Sequence, residues 1–236
     1  MILIGTLILS VIVHGQNTHE NFKFELRFGI LKGGEATFEL DDTIVDNESK
    51  LIAKLHGYTT GIAALVYGVD DQFESIIDSE SLLPETSLKK LHEKHYRFQN
   101  QITYDHERGM VFSEKSGWHE TTSGVCDISS LIFTLMHTKW LNNLQIKNEL
   151  EFPFWDTDNW YTLDLKFVGY ETITTPLGTF QCIRIEPQEV GGRFFNPKNP
   201  INVWITNDDQ KLPVLMELNF SIGTVKCILT ESNVTF

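Results

Sequence analysis

From Phe22 onward apolar and polar residues alternate with period two, and turn-forming residues interrupt the alternation about every ten positions. Successive side chains of a strand face opposite sides. Residues 22–30 therefore put Phe22, Phe24, Leu26, Phe28 and Ile30 on one face and Lys23, Glu25 and Arg27 on the other. A chain so patterned buries one face of a sheet and wets the other, which calls for a sandwich or a barrel. Gly33-Gly34 is expected to turn the chain into a hairpin partner at 35–44. Further strands are expected at 50–58, 72–78, 95–104, 110–114, 149–154, 160–170, 178–186, 201–206, 212–220 and 224–230. Turn chemistry separates several of them, as in Thr175-Pro176-Leu177-Gly178 and Asn207-Asp208-Asp209-Gln210. The expected fold is all-β and mainly antiparallel, a curved or closed barrel-like sheet of about twelve strands.

One segment breaks the alternation. Ile128, Leu131, Ile132, Leu135 and Met136 recur at helical spacing behind Asp127, a good N-cap, which predicts a helix over 127–142. Its wide apolar stripe suits it to cover or plug the sheet. A second, short helix is expected at 60–66. With neither repeats nor a low-complexity linker, residues 16–236 form a single domain.

The first thirteen residues, MILIGTLILSVIV, are uncharged and nearly all apolar, too short to span a bilayer, which takes roughly 20 residues. Val13 and Gly15 suit the small-residue positions before a cleavage at Gln16, so residues 1–15 have the outline of a signal peptide, although no Lys or Arg opens it. Export to the periplasm or beyond, without a stable membrane anchor, is the expectation, since no Cys follows the apolar run to take a lipid. A formal charge of −13 argues against a nucleic-acid partner, because phosphate contacts need clustered Lys and Arg. Three cysteines, Cys126, Cys182 and Cys227, are too few for a disulfide framework and are expected as small buried residues; a Cys182–Cys227 bridge is the alternative.

Candidate chemistry is sparse. His92 and His95 in HEKH lack the spacing of a zinc motif, and neither a nucleophile elbow nor a phosphate-binding glycine loop is present, so no metal or cofactor is expected. Carboxylates recur at Asp70-Asp71, Asp78, Asp156 with Asp158, and Asp208-Asp209, all at strand ends or turns where Asp serves local hydrogen bonding. The loop from Gly191 to Pro200 carries Phe194 and Phe195 between a flexible start and a Pro-rich end. These two, with Met136 and Trp204, are the candidate contacts for an apolar ligand; anchoring of the loop in the core is the plainer role for the Phe pair.

Six ordered blocks give the chain a resemblance to a known family. They are FGILKGGEATFEL from Phe28, GVDDQFESIIDSESLLPE from Gly68, HYRF from His95, CDISSLIFTLM from Cys126, TTPLGTFQCIRIEP from Thr174 and INVWITNDDQKLPVLMEL from Ile201. Together they resemble the bacterial exported family called domain of unknown function 3108, which implies an all-β, barrel-like periplasmic protein and carries over no catalytic residue or cofactor. Trp204, Thr206, Asp208, Leu212 and Pro213 are more distantly similar to a pattern in periplasmic lipoprotein carriers, whose half-barrel and covering helix enclose a hydrophobic cavity. The expected role is non-enzymatic: holding an apolar small molecule, lipid or lipidated peptide between sheet and helix. The alternatives are an envelope assembly factor acting through protein contacts, and a hydrolase using the clustered Asp residues.

Overall fold

A computed structural model describes residues 19–137, 149–156, 158–188, 200–220 and 223–234. The signal-peptide segment and the Phe194-Phe195 loop lie outside the described residues.

Among the described residues, fourteen antiparallel strands form one sheet. The first eight run outward as a meander: β1 (His19–Phe28), β2 (Leu31–Val45), β3 (Glu48–Thr59), β4 (Asp70–Asp78), β5 (Pro84–Glu93), β6 (Tyr96–Asp105), β7 (Met110–Ser113) and β8 (Gly117–Glu120). The other six start at the opposite edge and return: β9 (Glu149–Asp156), β10 (Asn159–Thr175), β11 (Gly178–Pro187), β12 (Ile201–Thr206), β13 (Pro213–Phe220) and β14 (Gly223–Ser232). The two meanders join where the first and last strands pair, Phe24 opposite Leu229, giving the order β8-β7-β6-β5-β4-β3-β2-β1-β14-β13-β12-β11-β10-β9. A sheet this wide coils, because strand twist accumulates beyond about ten strands.

This topology dictates where the helix goes. The chain leaves one edge at β8 and must reach the other at β9, and on the way α2 (Ile128–His137) packs against β3 and β4. Asp127 caps it as the sequence predicts: its Oδ1 accepts from the Ser129 and Ser130 amides at 2.9 and 3.0 Å, and Ser130 Oγ accepts from the Asp127 amide at 3.0 Å. Just before the helix, Cys126 forms a short parallel bridge to Phe154 of β9, so the β8 side of the sheet is tied to the opposite edge without a full ladder closing the barrel. The short helix α1 (Gly61–Val66) connects β3 to β4 and buries none of its residues.

Two strands exceed the expected twelve. β5 reads PETSLKKLHE, and its positions facing inward are Ser87, Lys89 and Leu91, so the usual apolar-inside pattern is absent from its sequence. β8 has four residues and leaves Trp118 exposed. The first turn also differs from the expected one. Gly29, at φ +58°, makes it, and Gly33-Gly34 lie inside β2. Gly34 is needed there for another reason: a Cβ at that position would sit 2.4 Å from the Tyr58 carbonyl oxygen of the neighbouring strand. Gly34→Ala must push β2 and β3 apart and is expected to cost about 1–3 kcal/mol by denaturant unfolding. Gly29→Ala, with open space around it, strains only the turn.

Candidate functional site

Residues that pair directly across strands share a face, so register rows map the concave surface. One row runs from β1 toward the β14 side and stays apolar: Leu26, Cys227, Met216, Val203, Ile185 and Phe167. Another runs from β1 the other way as Phe22, Phe38, Leu55 and Phe73, then becomes polar at Lys89 and Asn100. Alongside it, Leu40 and Ala53 give way to Ser75 and Ser87. The inner face is therefore apolar over β9–β14 and β1–β3, and mixed from β4 to β6.

Over the apolar half lies a cavity of about 240 Å³, roofed by Ile128, Leu131, Ile132, Leu135 and Met136 of α2. Its floor is formed by residues such as Phe24, Ala36, Leu163, Ile185 and Val203. Apart from the Cys227 thiol, the described lining presents hydrocarbon and thioether; Lys211 contributes its stem while its Nζ donates to the Asp209 carbonyl at 3.3 Å. Of the candidate ligand contacts, Met136 is in this wall and buried. Trp204 is placed elsewhere. It pairs with Arg184 and Leu215, on the face opposite Val203 and Ile205, donates from Nε1 to Glu171 Oε2 at 2.9 Å and lies under the Arg184 guanidinium.

The mixed half holds a second cavity, a cleft of about 460 Å³ between β4–β6, the N-terminus of α2 and the ends of β9 and β10. At its centre Lys89 of β5 is ion-paired to Asp156 of β9 at 2.6 Å, with Asp156 3% exposed. This pair spans the gap between the two arms of the sheet. Beside it, the Asp127 carboxylate that caps α2 accepts from Ser75 Oγ at 2.6 and 2.7 Å and from the Tyr104 hydroxyl at 3.4 Å. Burial holds the Asp127 carboxyl above the usual carboxylate range despite these bonds, and burial raises the Tyr104 phenol too. Trp155, edge-on to His119, and Tyr96, Phe98 and Tyr161 supply aromatic walls.

The clustered carboxylates have local partners. Asp70 pairs with His56, Asp71 accepts from the His92 amide, Asp78 binds Lys50 and the Ser81 turn, and Asp208 accepts from Thr206 and two amides of its own turn. Asp156 and Asp158 line the cleft, but the first is held by Lys89. Among the described residues no group of His, Cys, Asp and Glu is arranged to hold a metal. His92 lies next to the end of β5 and His95 in the following turn, both exposed. The three cysteines are free and buried; burial pushes the Cys182 thiol up to about 11 and that of Cys227 up to about 12.

The cleft is only partly legible in the sequence. Ser75 alternates in step with Phe73 and Ile77, and Tyr104 with Ile102, but Ser87 and Lys89 look like solvent-facing positions, and only the register of β5 against β4 and β6 turns them inward.

A family model described as a protein of unknown function, DUF3108, matches residues 23–230. No curated protein matches the chain. A crystal structure of a β-barrel-like protein of domain of unknown function DUF1849 from Brucella abortus is similar, with a TM-score of 0.57 at 8% identity over 92% of this chain and 98% of that one. That likeness concerns the fold. A crystal structure of a putative exported protein with a YmcC-like fold, from Bacteroides fragilis, aligns over 91% of this chain and 95% of that one at 8% identity, with a TM-score of 0.35. Among the described residues no helix is long and apolar enough to cross a membrane.

Proposed function

We propose that this chain, which belongs to the DUF3108 family, is a non-catalytic exported protein that holds an apolar ligand, an acyl chain or comparable hydrocarbon, between its sheet and α2. The observation that carries this is the roughly 240 Å³ cavity with its hydrocarbon lining. Water gains almost nothing in such a space, and apolar cavities of this kind stay dry yet accept apolar guests. Left empty, a void of that size forfeits packing worth on the order of 5 kcal/mol, taken at about 24 cal/mol per Å³. A guest chain restores those contacts. Met136 belongs to the proposed contact set, together with its neighbours Ile132 and Leu135 on the helix. The apolar leader at residues 1–13 supports export.

The test is calorimetric titration with decanoate, in which burial of the chain is expected to give a negative heat-capacity change. Ala36→Phe projects a ring into the cavity and is expected to weaken binding at least tenfold while leaving the melting temperature within a few degrees. Absence of heat with decanoate and with an uncharged alkyl glycoside alike, and of fluorescent fatty-acid uptake, by the parent protein overturns the proposal.

A second reading, an assembly factor working through protein contacts, is favoured by one feature. Ile30 and Leu31 on the β1–β2 turn, and Ile62, Leu65 and Val66 on α1, are 67–91% exposed, more apolar surface than a scattered residue or two. Ile62→Ser with Leu65→Ser separates the two, since it leaves decanoate binding intact and abolishes only a function that depends on that surface.

A further inference from the structure

The two cavities meet at the first turn of α2, where Ile128 lines both. One wall is hydrocarbon and the adjoining one mixes aromatic rings with polar and charged groups, an arrangement that fits an amphiphile better than a plain hydrocarbon. We propose that the β4–β6 cleft is a headgroup compartment, and that the ligand is an amphiphile whose uncharged, hydroxyl-bearing headgroup sits there while its chain enters the apolar cavity. This rests on the carrier function proposed above and names its ligand class.

Three observations point to that headgroup chemistry. The first is an unanswered hydrogen-bonding group: Ser129 lines the cleft, is fully buried, and its Oγ has no partner among the described residues. A buried hydroxyl in that state calls for one. The second is charge. Lys89 is the sole cation among the described lining residues and already pairs with Asp156 at 2.6 Å, while Asp158 adds negative charge. A phosphate or carboxylate would face net repulsion, whereas an uncharged hydroxyl leaves the charge balance of the ion pair as it is. The third is the mixture of aromatic and polar walls. Tyr96, Phe98 and Tyr161 offer ring faces for the C–H surface of a polyol, and Ser87, Asn100 and Tyr104 bring hydroxyl and amide groups to the same space. At about 460 Å³ the cleft falls within the roughly 300–1,000 Å³ range of small-molecule sites.

The experiment holds the alkyl chain constant and varies the headgroup, titrating the full-length protein with decyl glucoside, decanoate and decyltrimethylammonium, each below its micelle concentration. Decyl glucoside is expected to bind at least tenfold tighter than either charged analogue. Tyr161→Ala and Ser129→Ala are expected to erase most of that advantage while leaving decanoate affinity unchanged. Equal binding of all three compounds, or tightest binding of a charged one, overturns the headgroup compartment while the apolar carrier stands. If none binds, the carrier proposal itself fails. Should either variant lose its fold, the headgroup ranking on the parent protein still decides.

Discussion

Lys89→Met is expected to lower stability by about 3 kcal/mol, because it removes the ammonium that lies 2.6 Å from an Asp156 carboxylate only 3% exposed. The figure sits at the low end of the range for broken buried pairs because the Lys89 side chain keeps 20% exposure and some solvent screening. The loss is a matter of an uncompensated charge more than of a bond given up. Lys89→Met combined with Asp156→Leu is therefore expected to recover most of it, and the double-mutant cycle measured by urea unfolding isolates the coupling. The position of the pair adds a second consequence. It joins β5 to β9 across the unclosed side of the barrel, so amide exchange in β9 is expected to rise in the single variant and to return in the double one. A single variant as stable as its parent contradicts the assignment of this pair as the clasp.

Asp127→Ala is expected to cost about 2–3 kcal/mol, combining loss of an N-cap with buried donors left unsatisfied. The amides of Ser129 and Ser130 and the hydroxyl of Ser75 all donate to this carboxylate. Asp127→Asn keeps an acceptor for the amides and is expected to be much milder. The pH dependence separates charge from bonding. Burial raises the Asp127 pKa above its ordinary 3.8, so the folded protein holds this proton more tightly than the unfolded chain does. As pH rises from 3.8 toward the raised folded value, the unfolded chain ionises first and the native state loses stability, by at most about 1.4 kcal/mol per pH unit; below 3.8 the group imposes no such cost. Asparagine carries no such burden. The stability of Asp127→Asn relative to the parent should therefore improve across that window, and a difference independent of pH there contradicts the burial of an ionisable carboxyl.

How much of this the sequence discloses depends on which way each strand's polar residues point. β1 alternates with apolar residues inward, so Phe22 and Phe24 are legible as core, and they are 1% and 3% exposed. The alternation outlasts the buried part of the sheet, however: Phe28 at the end of β1 and Ile30 in the turn beyond continue it into solvent at 44% and 91% exposure. β5 inverts the rule, since Ser87 and Lys89 face the interior because a polar cleft lies there, and local pattern cannot distinguish that from a wet face. The cap and apolar stripe of α2 are local signals and were readable; that it crosses from one sheet edge toward the other follows only from the pairing of β1 with β14. Trp204 shows the limit from the opposite side. Its bulk suggests a ligand wall, but parity along β12 sets it on the face away from Val203 and Ile205.

The cavity under α2 is the centre of the account, and native mass spectrometry with lipid extraction, on protein purified from the cells that make it, tests it most directly. The expected result is a stoichiometric adduct that carries an alkyl or acyl chain, is released by solvent extraction, and is lost in Ala36→Phe. A clean apo mass from the parent protein, with no uptake of added decanoate or decyl glucoside, would contradict it.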